Sequence, residues 1–589
     1  MKKIIILTCL LSIIILITFS NSLNNGFTNW DDEDYILSNK LIRELSWENL
    51  ITMFTTVYVG HYHPITLLTY SLEYYSGKLD PFIYHLTSLI IHMFNSLLVF
   101  WLIFMFTNNL YSSFTGAILF GIHPLRVEAV AWVSGTKELL CTFFYTGTII
   151  FYLHYLKKKN LKYYFLSLLL FILSILSKSM AITLPVVLIG LNYFFYRNSI
   201  RNMIIDKIPF FAIAFIIQSI TLSGGLVIDT FSFTFLERML IASHRVIFYL
   251  YKTLLPISLS CRYPYPEESG KVMGETVFLI SLLTLVLLTT LVIYTGKYTK
   301  KIISGSLFFL VTLLPVIQLI PAAQPIADRY TYIPSIGLSY IAGEGFLWLY
   351  SREFKDSKII KSLLITILII IIISLSVLTW NRCTVWKDGL TLWSDVIKNY
   401  PHSAIAYNYR GLIYHNMGEY DYAIRDYTKA LMLIPYDTKI LNNRGIAYYS
   451  KGDCDSAIVD FTQALKFKSD YSEALYNRGL VYEHRGEYNT ALSDFTLALK
   501  FNPNYYEVYN SRGIIYGTKG EYKLAVADFT HALKINPAYP DAYYNRAFTY
   551  FTIKEYDRAW EDIQKMKDAG YTIPSQFIDD LIRASRREK

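Results

Sequence analysis

Four carboxylates occupy four consecutive positions in Asn29-Trp30-Asp31-Asp32-Glu33-Asp34-Tyr35, directly after the first apolar run of the chain. Acid at that density beside a bilayer is costly unless it is solvated or used, so these residues are the first candidates for chemistry. A carboxylate within about 3 Å of a hydroxyl is a sufficient general base, and Asp31 or Asp32 is the catalytic candidate, with Asp34 in support. Neighbouring residues point to different faces, so only one of the pair can meet a reacting atom. Asp31 and Asp34, three apart, can share a helix face. The competing explanation is an N-cap at Asn29 whose first turn carries acids that complement the helix dipole.

Cations that could answer an anion are scattered along the chain. Arg126 lies in His123-Pro124-Leu125-Arg126-Val127-Glu128, Lys137 precedes Glu138, Lys178 separates two apolar runs, and Arg329 sits in Asp328-Arg329-Tyr330 after Pro321 and Pro325. Converging beside an apolar wall, these four would suit a phosphate with a lipid tail. Each taken singly reads as interface snorkelling, and Glu128 and Asp328 offer Arg126 and Arg329 local ion partners. His63, His123, Glu128, Asp328 and Tyr330 are supporting residues. No His, Cys or Asp spacing calls for zinc, so no metal site is assigned and no cofactor is required. A divalent ion on the acid cluster stays open. The five cysteines show no C-x-x-C spacing.

What must position these groups is a membrane. The chain is 53% hydrophobic and 16% aromatic, with apolar runs near 4–20, 84–106, 111–122, 137–156, 161–177, 180–196, 207–222, 276–295, 302–320, 333–350 and 358–379. They predict an all-α polytopic bundle of about eleven spans over residues 1–383. The first run reads as a retained span rather than a cleaved signal. Basic loops at Lys157-Lys158-Lys159 with Lys162, at Arg197, Arg201 and Lys207, at Lys297, Lys300 and Lys301, and at Arg352, Lys355, Lys358 and Lys361 fall on the side of Met1, the cytoplasm. The acidic loop 21–83, the loops of His123 and Arg329, and everything beyond 380 are then extracytoplasmic. Residues 223–260, apolar but interrupted by charge, read as interfacial or re-entrant helices. Ser46-Trp47-Glu48-Asn49 predicts a capped helix to about Thr55.

After a linker at 384–403 the register becomes a 34-residue repeat, in copies at 404–437, 438–471, 472–505, 506–539 and 540–572, with a capping helix and basic tail at 573–589. Gly411, Gly445, Gly479 and Gly513, with Ala547 in the fifth copy, recur where two helices approach, and Ala423, Ala457, Ala491, Ala525 and Ala559 supply the facing small residue. This is the tetratricopeptide pattern of an α-solenoid. From residue 403 onward 24 Lys and Arg stand against 24 Asp and Glu, so the net charge of +9 belongs to the membrane half. Asn408, Asn443, Asn477, Asn510 and Asn545 line the expected groove and could hold an extended peptide, whereas the Arg repeats at 410, 444, 478, 512 and 546 suggest structural contacts.

Five stretches in order resemble the transmembrane and tetratricopeptide-repeat O-mannosyltransferases and their bacterial relatives, of the GT-C glycosyltransferase class. They are Trp30-Asp31-Asp32, His61-Tyr62-His63-Pro64-Ile65-Thr66, His123-Pro124 through Trp132-Val133-Ser134-Gly135, Ser177-Lys178, and Asp328-Arg329-Tyr330-Thr331-Tyr332-Ile333-Pro334-Ser335-Ile336-Gly337, followed by the repeats. The resemblance implies transfer of a mannose-like sugar from a polyprenyl-phosphate donor to a hydroxyl of a protein acceptor, in a bacterial inner membrane or in the endoplasmic reticulum. It implies no nucleic-acid partner. His63 and Thr136 depart from the family pattern, which often has Arg at each. Two other readings remain: a membrane-anchored repeat scaffold without catalysis, and a transporter of lipid-linked sugar.

Overall fold

The computed structural model describes residues 1–196, 200–223, 234–263, 275–317, 319, 326–352 and 357–586. The chain forms two compact units, residues 1–403 and 404–589. Both are helical, and among the described residues the single β feature is an isolated antiparallel bridge between Tyr58 and His61.

In the first unit the helices are α1 (Lys2–Phe19), α2 (Trp47–Thr55), α3 (Pro64–Gly77), α4 (Pro81–Thr107), α5 (Leu110–Gly121), α6 (Val127–Ala131), α7 (Thr136–Lys158), α8 (Leu161–Ser177) and α9 (Leu184–Leu191). They continue as α10 (Ile200–Ile205), α11 (Ile208–Ser223), α12 (Phe235–Leu254), α13 (Glu275–Thr295), α14 (Lys300–Leu313), α15 (Ser335–Ser351), α16 (Ser357–Cys383) and α17 (Gly389–Asn399). Every apolar run of the sequence is mainly helical in its described part. Seven segments among the described residues are long and apolar enough to cross a membrane, and eight if α5 and the following Pro124–Ala131 segment, bent by 57°, make one broken span. The remainder of the expected eleven, α8, α14 and α15, are shorter than a perpendicular span of ~20 residues. Within 223–260 the described residues hold α12 as one continuous helix, opened by a Thr234 and Glu237 capping box and followed by non-helical chain from Leu255. Arg197, Pro321, Pro325 and Lys355 lie outside the described residues.

Small residues let α5, α14 and α15 pack closely. A Cβ on Gly343 would stand 2.3 Å from the Ser112 carbonyl oxygen, and one on Gly337 2.3 Å from that of Gly305. The loop after α1 folds into its own cluster, in which Tyr35, Ile36, Ile42 and Met53 pack on Leu67, Tyr70, Tyr84 and Val133. Ser46 caps α2 by accepting from the Asn49 N–H at 3.1 Å.

In the second unit five helix pairs follow the repeat: α18 and α19 (Ala404–Asn416, Tyr420–Leu433), α20 and α21 (Thr438–Lys451, Cys454–Phe467), α22 and α23 (Ser472–His484, Tyr488–Phe501), α24 and α25 (Tyr506–Thr518, Tyr522–Ile535), and α26 and α27 (Pro540–Thr552, Tyr556–Asp568). A terminal helix, α28 (Ser575–Ser585), closes the stack with Phe577 and Leu581. The repeated glycines are required by contact. A Cβ on Gly445 or Gly479 would meet the Phe461 or Phe495 ring at 2.6 or 2.5 Å. In the fifth pair the ring is replaced by Ile563, which packs in one core with Ala547. Each repeated Arg is bidentate to the Asp sixteen residues on, as Arg478 is to Asp494 at 2.8 Å through both nitrogens. From the second copy onward the same Arg also donates to a Thr of the preceding repeat. These arginines are the mortar of the stack.

Candidate active site

Asp31 and Asp32 are adjacent and have opposite surroundings. Asp32 is 0% exposed. Its Oδ2 accepts from the Thr28 N–H and hydroxyl, both at 2.9 Å, and its Oδ1 from the Ser134 N–H at 2.9 Å and hydroxyl at 2.6 Å. Burial raises its pKa against those four donors, and the side chain serves as a staple between the acidic turn and the head of α7. The Asp31 side chain is 32% exposed, and its Oδ2 pairs with Lys137 Nζ at 3.0 Å. Burial pushes its pKa up, but Lys137 and Arg329 outweigh this and hold it below the ordinary carboxylate value. Asn29 accepts from the Trp393 indole at 2.9 Å, and Asp34 is exposed, its carbonyl accepting from the Tyr58 hydroxyl.

Three of the expected cations converge on this turn. Lys137 lies in the first turn of α7, 4.9 Å over the Tyr35 ring and 5.3 Å over Trp132. Lys178, the residue that ends α8, contacts Glu138 and stands 5.1 Å over Tyr330. Arg329 is carried on a single helical turn, Asp328–Thr331. Its Nη1 pairs with Glu128, its Nε is 3.9 Å from Glu138, and its guanidinium lies over Trp30, Trp132 and Tyr330 at 5.6, 5.3 and 4.9 Å. Trp30 stacks on Trp132 with centroids 4.9 Å apart. The ion pairs therefore run between segments distant in sequence, not within Arg126-Glu128 or Asp328-Arg329.

Arg126 lies apart from these ion pairs. It is 0% exposed, set between the Phe120 and Tyr332 rings at 5.3 and 5.2 Å, and it donates to Thr331 at 3.2 Å. The bend between α5 and α6 turns it inward, and its Nε and Nη1 are buried without a hydrogen-bond partner among the described residues. His123 is also structural, with Nδ1 accepting from the Leu125 N–H and Nε2 2.9 Å from the Thr253 carbonyl. Asp328 accepts from the Tyr263 hydroxyl at 2.6 Å, and burial together with Glu128 pushes it up to about 7. His63 is buried 5.2 Å from the Tyr35 ring. Thr136, like His63 a departure from the family pattern, is buried and bonds Ser88 at 2.8 Å.

Sequence reasoning passed over Glu138, Trp30, Trp132 and His61. Glu138, 2% exposed, joins Lys178 and Arg329, yet at the start of a helix an acid reads as a dipole complement. His61 keeps solvent access while crowding the cluster. Partial burial with Lys137 and Lys178 holds its imidazole down at about 4, neutral at pH 7. Gly135 makes the assembly possible, since a Cβ there would stand 2.7 Å from the Ala129 oxygen and 2.8 Å from that of Glu128. In the solenoid, Asn443, Asn477 and Asn545 donate to Asn408, Asn442 and Asn510 at 3.1, 2.9 and 3.0 Å. Part of each groove amide is thus committed to joining neighbouring repeats.

Fold and cluster together define a helical membrane protein that gathers cations, carboxylates and indoles at the ends of several helices and continues into a tetratricopeptide solenoid. The tetratricopeptide repeat family model matches residues 404–437 and 472–505, and a TPR repeat model matches 445–484 and 515–554. Protein O-mannosyl-transferase F38B6.6 of Caenorhabditis elegans is 25% identical over 454 residues, covering 71% of this chain and 61% of that protein. Protein O-mannosyl-transferase TMTC3 of Homo sapiens is 23% identical over 471 residues, covering 71% and 50%. The chain spans half to about three-fifths of the length of these curated relatives. Among solved structures, the crystal structure of MamA matches at 24% identity over 27% of this chain and 94% of that one, with a TM-score of 0.26. The chain is thus similar over 71% of its length to proteins named protein O-mannosyl-transferases, and it carries tetratricopeptide repeats.

Proposed function

We propose that the protein is an inverting glycosyltransferase that moves a mannose-like hexose from a polyprenyl phosphate to a hydroxyl of a protein acceptor, with the cluster around Asp31 on the extracytoplasmic side. The observation that carries this reading is the meeting of Asp31, Lys137, Lys178 and Arg329 from four separate segments in one place. The names of the relatives support the sugar and the protein acceptor.

In the proposed reaction the acceptor oxygen attacks the anomeric carbon as its proton passes to the Asp31 carboxylate. The bond from that carbon to the phosphate oxygen breaks and its electron pair leaves on the phosphate. Lys137, Lys178 and Arg329 meet the growing charge, and attack opposite the leaving group inverts the anomeric centre. Protonated Asp31 then returns its proton to water. Trp30, backed by the buried Trp132, gives the sugar ring an apolar face to lie on. The solenoid is proposed to hold the acceptor polypeptide.

The test is incubation of the purified full chain with radiolabelled polyprenyl-phosphate hexoses and peptides containing Ser and Thr. Label should enter peptide from the mannosyl donor, in the anomeric configuration opposite to that of the donor. No incorporation from any donor would overturn the reading.

A further inference from the structure

Before substrate arrives, the cluster is electrostatically closed. Its three cations each face a carboxylate: Lys137 faces Asp31, Lys178 faces Glu138, and Arg329 faces Glu128 with Glu138 behind. A phosphate that enters therefore finds no spare cation and must take one from a carboxylate. The three pairs are not equally easy to part. Glu128 and Glu138 are each 2% exposed, so losing a partner strands a buried charge. The Asp31 side chain is 32% exposed and can be taken over by water. Lys137 also has somewhere to turn, lying over the Tyr35 and Trp132 rings with Arg329 near the same Trp132 ring.

Resting on the proposed donor class, we infer that Lys137 is an exchange residue: the incoming isoprenyl phosphate draws it off Asp31, and that withdrawal frees the base only when donor is bound. Free enzyme then carries a pacified Asp31, and donor binding arms it. The groups that face Asp31 are Lys137, Arg329 and His61, and withdrawing the first removes the strongest attraction on the carboxylate. Acceptor hydroxyls, water included, meet a competent base only beside a loaded donor. Wasteful proton transfer and hydrolysis are limited by the same device.

The exchange predicts an unusual sign. Asp31→Asn removes the competitor for Lys137, so it should bind phosphate more tightly than wild type while losing transfer. The experiment titrates the full-length protein in detergent with farnesyl phosphate, using farnesol as the uncharged control, and reads Kd from tryptophan fluorescence and calorimetry. Asp31→Asn should tighten farnesyl phosphate by about fivefold, the scale of a half-exposed ion pair. Lys137→Gln should weaken it by at least as much. The double variant should lie closer to Lys137→Gln alone than the product of the single effects gives, because Lys137 is the strongest of the groups through which Asp31 competes. Asp31→Ser tests the same sign should the Asn variant fail to fold. Unchanged or weaker binding in the folded Asp31 variants, or additive effects in the double variant, overturns the exchange while leaving the donor class standing. Wild-type protein that does not distinguish farnesyl phosphate from farnesol overturns the donor class itself.

Discussion

Asp32→Asn probes the part of the site that is scaffold. The two Asp32 oxygens accept four hydrogen bonds at 2.6 to 2.9 Å in a position with no solvent exposure. Asparagine keeps one acceptor and turns the other into an NH2 that faces an N–H and a hydroxyl. Two bonds to a charged group are lost, each worth about 1.5–3 kcal/mol, and the Thr28 or the Ser134 N–H is left unpaired. Relief from burying a charge offsets part of this, leaving a net loss of about 3 kcal/mol, or about a hundredfold in the equilibrium for local opening. The strain falls on the head of α7, which carries Lys137 and Glu138. Hydrogen exchange of the amides from Val133 to Glu138 in the full chain is the assay, and protection should fall about a hundredfold. Asp31→Asn, one residue away with its side chain partly in water, should change it by less than about tenfold. Equal responses to the two substitutions would refute the division of labour between the two acids.

In the solenoid, Gly479→Ala pushes a methyl into Phe495 and should cost about 1–3 kcal/mol in denaturant unfolding; adding Phe495→Ile, which copies the Ala547 and Ile563 pairing of the fifth repeat, should recover most of it. Gly135→Ala should displace Glu128 and lower transfer more than it lowers the thermal midpoint, measured by activity and melting of the same preparation. For Asp328 the folded value near 7 exceeds the ordinary 3.8, so the stability it lends is full below pH 4 and is lost as pH rises to about 7. Asp328→Asn keeps an acceptor for Tyr263 and should flatten melting between pH 4 and pH 7.

The helical periodicity, the apolar runs and the 34-residue repeat carry enough information for fold class, because each is a local pattern that burial enforces. The Arg repeats could be read as structural for the same reason, and each indeed meets its Asp sixteen residues on. The site was legible as residue types but not as pairings. Arg126 and Arg329 sit in similar charged contexts, yet one turns inward at a helix bend while the other faces Trp30 and Trp132. Asp31 and Asp32 differ only in which way a single turn points them. Glu138 binds two cations that lie 40 and 191 residues further along the chain, a relation no spacing rule encodes.

Single-turnover transfer from polyprenyl-phosphate mannose to peptide, comparing wild type with Asp31→Asn at donor concentrations that saturate both, tests whether Asp31 is the base. With Asp31 as the base, transfer by the variant should fall by about 10²–10⁴-fold, the usual worth of a general base, with donor still bound. Transfer by Asp31→Asn at the wild-type rate would contradict it.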